Sequence, residues 1–146
     1  MYNLEISNQQ TRLTFDEARL FQAVRQVLAS EQIASANISI AVVDDPAIHE
    51  INRQFLDHDE PTDVISFVLE PPPHLEGEVI VSADTAAKQA EQLGWGAEDE
   101  LLLYLIHGTL HLTGYDDLNP AAASQMRERE RFHLAQFGIT PPWPET

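Results

Sequence analysis

Two histidines four residues apart, His107 and His111, sit in a run that reads as helix from about Glu98 to Leu112. On an α-helix, positions i and i+4 share a face, roughly 6 Å apart along the axis. Two neutral imidazoles so placed can grip one metal ion. Gly114 is the expected helix stop, because glycine takes the left-handed conformation without a Cβ penalty. The chain then turns back and offers Asp116 and Asp117, either of which can complete a three-ligand site. The segment Leu101-Leu102-Leu103-Tyr104-Leu105-Ile106 is apolar on nearly every face, so the helix belongs in the interior. Unpartnered imidazoles there would cost on the order of 2–3 kcal/mol each. A metal ion is the economical partner, with hydrogen-bonded core histidines as the alternative, and metal-assisted hydrolysis is the chemistry a metal suggests.

The residue after the first histidine separates this helix from a neighbouring chemistry. H-E-x-x-H metallopeptidases place a glutamate there as general base. Here the position is Gly108, so a peptidase is disfavoured. The glycine is expected to leave room beside the metal for something bulky, such as a sugar-phosphate backbone.

Three blocks together resemble one family. His107-Gly108-Thr109-Leu110-His111-Leu112-Thr113-Gly114-Tyr115-Asp116-Asp117 is similar to the H-G-x-L-H-L-x-G-Y-D-H signature of the bacterial YbeY family, metal-dependent endoribonucleases of ribosomal RNA maturation. Pro61-Thr62-Asp63-Val64-Ile65-Ser66-Phe67 resembles that family's P-T-D-V-L-S-F block, and Gly77-Glu78-Val79-Ile80-Val81-Ser82 its G-D-I-x-I-S strand. Asn52 stands where the family has an asparagine. The matches keep the family's order and spacing from Asn52 to Asp117. The resemblance implies one Zn²⁺ on His107, His111 and Asp117, with Asp116 orienting a histidine or the ligand loop. It also implies single-stranded RNA as substrate rather than DNA, and a role in 16S rRNA 3′ end maturation and ribosome quality control.

Two positions depart from the pattern. The family's third ligand is a histidine where this chain has Asp117, and its arginine before P-T-D-V aligns with Leu56. Carboxylate is an accepted zinc ligand beside two imidazoles, but it leaves the centre at +1 rather than +2. Leu56 removes a cation of the kind that stabilises phosphoryl transition states. Arg53, one helical turn earlier, is the nearby residue that can compensate and is a candidate catalytic group; a solvated surface charge is its alternative role. A catalytically weakened ribosome-assembly or binding factor is therefore the rival reading.

The chain has 146 residues, 24 acidic and 8 basic, for a formal charge of −16. That length is expected to form one metallohydrolase domain over 1–146. No membrane span or secretory leader is expected, and the absence of cysteine leaves His, Asp and Glu as the metal ligands and fits the cytoplasm. Lys and Arg supply most non-specific affinity for nucleic acid, so so acidic a chain should bind bare RNA poorly. A ribosome or ribosomal protein is the expected partner that presents the RNA. The basic cluster Arg127, Arg129 and Arg131 alternates with Glu128 and Glu130 and reads as a salt-bridged, exposed helix face.

The elements that must position these residues follow from periodicity. Residues 2–6 form a first short strand. The capping box Thr14-Phe15-Asp16-Glu17 opens an amphipathic helix to Ser30 with Leu20, Ala23, Val24, Val27 and Leu28 inward. Asn37 to Val43 alternates as a strand. Asp45-Pro46 starts a helix to about Phe55. Val64 to Leu69 is a strand halted by Pro71-Pro72-Pro73, and His74-Leu75-Glu76 continues that loop to a strand from Gly77 to Val81. A helix from Asp84 to Leu93 ends at Gly94, and a last helix runs from Asn119-Pro120 to about Phe137, ended by Gly138. The predicted fold class is α+β: one mixed four-stranded sheet with about five helices and a zincin-like metal-binding helix. His49, His58, His74 and His133 are read as ordinary exposed histidines, Trp95 and Trp143 as packing residues rather than base-stacking platforms, and Ser66 as a strand hydroxyl near the cleft.

Overall fold

The computed structural model describes Met1 to Trp143; residues 144–146, which include the tail proline Pro144, lie outside the described residues. The chain runs β1 (Tyr2–Asn8), α1 (Glu17–Ser30), β2 (Ser35–Val43), α2 (Asp45–Leu56), β3 (Val64–Glu70), β4 (His74–Ser82), α3 (Ala83–Leu93), α4 (Ala97–Leu112) and α5 (Pro120–Ala135). The strands form one mixed sheet in the order β1-β2-β4-β3, with β1, β2 and β4 parallel and β3 antiparallel to β4. The expected α+β class is thus the observed one.

Strand alternation sorts the sheet's two faces. Ala36, Ile38, Ile40 and Val42 of β2, with Leu75, Val79 and Val81 of β4, join the core built by α1, α3, α4 and α5. The opposite face carries Val43, Ile65 and Ile80, which are covered by Ile48 of α2. Helix α4 lies at the centre of this arrangement, against α1, α3, α5, β3 and β4. Its Leu101–Ile106 run is buried on every side because every side meets another element.

Several boundaries differ from the periodicity reading, each for a local reason. Asp16, not Thr14, caps α1: its carboxylate accepts from the Ala18 N–H at 3.0 Å. Asp44 caps α2 by accepting from the Ala47 N–H at 2.9 Å. That frees Asp45 to accept from Ser82 Oγ at 2.6 Å, Thr85 Oγ1 at 2.7 Å and Lys88 Nζ at 2.9 Å, which fastens α2 to α3. Strand β4 begins at His74 rather than Gly77, so the β3–β4 connection is only Pro71–Pro73. Leu75 is buried in the core and its register with Ala36 extends the parallel ladder back to Ser35 and His74. The hydroxyl of Ser35 lies 2.6 Å from His74 Nδ1. Helix α5 stops at Ala135, two residues before the expected end.

His133 is a correction of another kind. It was expected at the surface, yet it is 0% exposed. Helix α5 packs this residue onto α1, where Gln26 Nε2 lies 3.1 Å from its Nδ1 and 3.2 Å from its carbonyl oxygen. The other three histidines keep their outward positions: His58 and His74 are exposed, and His49 lies at the surface 2.9 Å from Asp59.

Two predictions follow from this packing. An added Cβ at Gly108 would stand 2.6 Å from Val79 Cγ1 and 2.9 Å from Ser66 Oγ, so helix and sheet must separate to admit it. Gly108→Ala should therefore lower unfolding stability by about 1–3 kcal/mol in urea titration. Burial and the nearby Arg129 guanidinium hold the pKa of His133 below its ordinary 6.5. The unfolded chain then binds this proton more readily than the native one, so stability falls as pH drops below about 6.5. The urea midpoint should decline less between about pH 7.5 and 5.5 for His133→Gln than for the parent chain.

Candidate metal centre

The histidine pair is set by how α4 begins, packs and ends. Gly108 lets the helix lie directly on Val79, Ser66 and Val64. The expectation that this glycine clears space beside a metal is thereby corrected: the vacated volume is filled by the sheet. Ser66 strengthens the contact by donating from Oγ to the Gly108 carbonyl at 2.9 Å, a structural role in keeping with its reading as a strand hydroxyl. At the far end the Tyr115 N–H donates to the Leu110 carbonyl and the Gly114 N–H to that of His111, both at 3.1 Å. With Gly114 at φ +113°, these two bonds make a Schellman stop. Tyr115 then anchors the turn by donating its hydroxyl to Glu31 at 2.8 Å.

This turn brings Asp117 back over the helix. His107 Nε2 and His111 Nε2 lie 3.0 Å apart, and Asp117 Oδ2 is 3.9 Å from His107 Nε2. One ligand atom from each of the three residues lies within 4.8 Å of the other two. A tetrahedral zinc site with bonds of about 2.0–2.1 Å spaces its ligand atoms by roughly 3.3 Å, so the three need only small adjustments to close on one cation. Asp117 remains 47% exposed, which leaves the open side of the group toward solvent. Asp116 does not take the expected orienting role. Its Oδ1 accepts from the Leu118 N–H at 3.1 Å, which braces the loop rather than a histidine.

The orienting group is Glu130 of α5. Its carboxylate meets His107 Nδ1 at 2.5 Å and Arg127 Nη1 at 2.9 Å, and its side chain is 1% exposed. Engaging Nδ1 turns Nε2 toward His111 and Asp117, the carboxylate–histidine–metal arrangement that fixes ring and tautomer. The reading of residues 127–131 as an exposed salt-bridged face is corrected accordingly. Arg127 and Glu128 are exposed, but Glu130 shares the buried stripe of Met126 and Leu134. That i, i+4, i+8 stripe was the available signal, masked by the alternating charges around it.

Electrostatics distinguish the two rings. Burial opposes charge on His107, but the Glu130 hydrogen bond and negative charge outweigh it and hold its pKa above the ordinary range. Burial and the adjacent His107 hold that of His111 below it. Of the two rings, the one bound to Glu130 is therefore the more readily protonated.

Asp63, His107 and Asp117 stand between two cavities of about 710 and 460 Å³. The smaller one is an open groove walled by Leu56, Val64, Ile65, Ser66 and Val68 and reaching His111. Leu56, where the family pattern has arginine, is therefore part of the wall beside the histidines. Arg53 is not brought to them: its guanidinium lies 2.5 Å from Glu50 on the exposed face of α2. Asn52 is buried and donates to the Glu60 carbonyl at 2.8 Å, pinning the loop that leads into Pro61–Asp63. Asp63 accepts from the Val64 N–H at 2.8 Å at the mouth of both cavities.

This geometry makes a direct prediction about affinity. Glu130→Gln, which keeps shape but removes charge, should weaken Zn²⁺ binding by about 10–100-fold in chelator-competition titration. Unchanged affinity would show that Glu130 does not act on the centre.

Comparison with known proteins places the chain in one family. The family model described as endoribonuclease YbeY matches residues 5–138. A Rhodopirellula baltica endoribonuclease YbeY is 42% identical over 126 residues, 84% of this chain and 65% of that protein. Those of Salinibacter ruber and Geobacter sulfurreducens are 34% and 36% identical, covering 90% and 91% of this chain and 89% and 95% of theirs. A solution structure of a Thermotoga maritima protein shares the fold, with a TM-score of 0.60 at 22% identity over 99% of this chain and 97% of that one. On the strength of the family match across α1 to α5, the chain belongs to the YbeY endoribonucleases.

Proposed function

We infer that this chain is a metal-dependent endoribonuclease that cuts single-stranded RNA, with one Zn²⁺ held by His107, His111 and Asp117. The observation that carries this reading is the convergence of those three side chains within 4.8 Å at the junction of two cavities. A divalent cation bound there supplies Lewis acidity toward water and phosphate oxygen. Glu130 holds His107 in the ligating orientation, and Asp63 bounds the approach from the β3 side. Two neutral imidazoles and one carboxylate leave a less positive centre than three imidazoles would, so turnover should be modest. Arg53 is the candidate cation for the phosphate. To serve, it must both give up Glu50 and reach toward a groove whose wall it does not form.

The formal charge of −16 argues that affinity for bare RNA is low and that a ribosome or ribosomal protein presents the strand. Maturation of the 16S rRNA 3′ end and ribosome quality control in the cytoplasm are the roles this proposal adopts. No described helix is long and apolar enough to cross a membrane. A second reading, a ribosome-assembly factor of weakened activity, is favoured by Leu56, which puts an apolar side chain at 42% exposure into the groove wall.

One experiment separates them. Zn²⁺-loaded protein incubated with a single-stranded RNA should give internal cleavage that His111→Ala reduces by at least about 100-fold and that chelation abolishes. Asp117→His should raise both metal affinity and rate. No cleavage above the His111→Ala background would favour the assembly factor.

A further inference from the structure

The larger cavity contains features that a metal centre does not require. His107 and Asp117 close one end of its 710 Å³, and Glu100, Tyr104, Arg127 and Trp143 line the remainder. That volume falls in the range of sites for small organic ligands. Tyr104 is 3% exposed, and its hydroxyl lies beside the Glu100 carboxyl without closing a hydrogen bond of ordinary geometry. Burial, reinforced by the neighbouring Glu100 carboxyl, keeps the phenol protonated well beyond neutral pH, so the hydroxyl is a donor. Glu100 is itself buried and accepts from Trp95 Nε1 at 2.6 Å, which fixes its carboxyl beside the phenol. The Trp143 ring has the Arg127 guanidinium 4.0 Å and the Arg131 guanidinium 5.2 Å from its centre, so cation and aromatic surface are presented together.

These groups select a ligand chemistry. Among the described lining residues, Asp63, Asp117 and Glu130 bring carboxylates to the space against the guanidinium of Arg127, which disfavours a free phosphate. A purely apolar ligand would leave the Tyr104 hydroxyl nothing but the Glu100 carboxyl to meet. A flat, neutral ring with hydrogen-bonding edges suits both, because its edge can meet Tyr104 and its face can stack on Trp143 or the guanidinium. The cavity shares His107 and Asp117 with the metal-binding group, so a ligand here is continuous with one held there.

We propose that this cavity is a nucleobase subsite, which takes the base of the nucleotide adjoining the phosphate at His107, His111 and Asp117. The proposal rests on the endoribonuclease reading for its substrate, but not on turnover for its test. Trp143 keeps the packing role the sequence suggests and adds a stacking face to it.

The test is amide and indole NMR of the full chain, titrated with adenosine, with uridine and with ribose as the base-free control. Saturable shifts are expected at the Trp143 indole N–H and at α4 amides around Tyr104 with at least one nucleoside, and none with ribose. Tyr104→Phe removes a hydroxyl whose neighbour is the Glu100 carboxyl, so the thermal midpoint should move little while nucleoside affinity drops about fivefold or more. Trp143→Leu should weaken binding similarly and serves if the first variant is poorly folded. Absence of saturable shifts with both nucleosides, equal shifts with the base-free control, or unchanged affinity in folded Tyr104→Phe overturns the subsite. RNA cleavage without nucleoside binding overturns the subsite alone; nucleoside binding without cleavage supports it and overturns the nuclease reading.

Discussion

The contact between the Glu130 carboxylate and His107 Nδ1 is the interaction on which the rest of the site depends. Glu130 is nearly fully buried, and a lone carboxylate in that position would be strongly unfavourable. It is tolerable because His107 meets one oxygen and Arg127 the other. The same contact solves the complementary problem for α4, an apolar helix that must carry two polar rings into the interior. Breaking it would leave either a buried charge without a partner or an imidazole free to turn its ligating nitrogen away from His111. Stability of the α4–α5 packing and geometry of the centre are thus one requirement.

Around that contact, α4 is constrained from three directions. The sheet fixes its height through the side-chain-free face of Gly108 against Val79 and the Ser66 hydroxyl. The stop at Gly114 fixes where the chain reverses, and the Tyr115–Glu31 bond ties that reversal to the end of α1. Asp117 arrives opposite the histidines as a result of both. The loop before β3 is held by buried Asn52 on one side and by the Asp63–Val64 turn on the other. Helices α4 and α5 carry the two histidines and Glu130, and β3 carries most of the groove wall, while Asp117 alone of the three converging residues sits on a loop.

Much of this was legible in the residues themselves, where the pattern is local. The i, i+4 histidines, the glycine stop and the strand alternation of β2 and β4 each need only a few neighbouring positions to be read. What escaped was long-range. Glu130 looked like one member of a solvated charge run because its partner is 23 positions away on another helix. His133 looked exposed for the same reason, its partners lying on α1. Gly108 was assigned an open side because sequence gives the side chain's absence but not which neighbour fills the gap. Asp116 and Asp117 are adjacent and chemically identical; only the path of the turn assigns one to the loop and the other to the histidines.

The most direct test of the central claim is X-ray absorption spectroscopy of the protein loaded with one equivalent of Zn²⁺, compared with Asp117→Ala. Histidine imidazole scattering from two rings, with a further oxygen-donor contribution diminished in the variant, is the predicted result. A shell with fewer than two imidazoles, or one identical in the two proteins, would contradict the account.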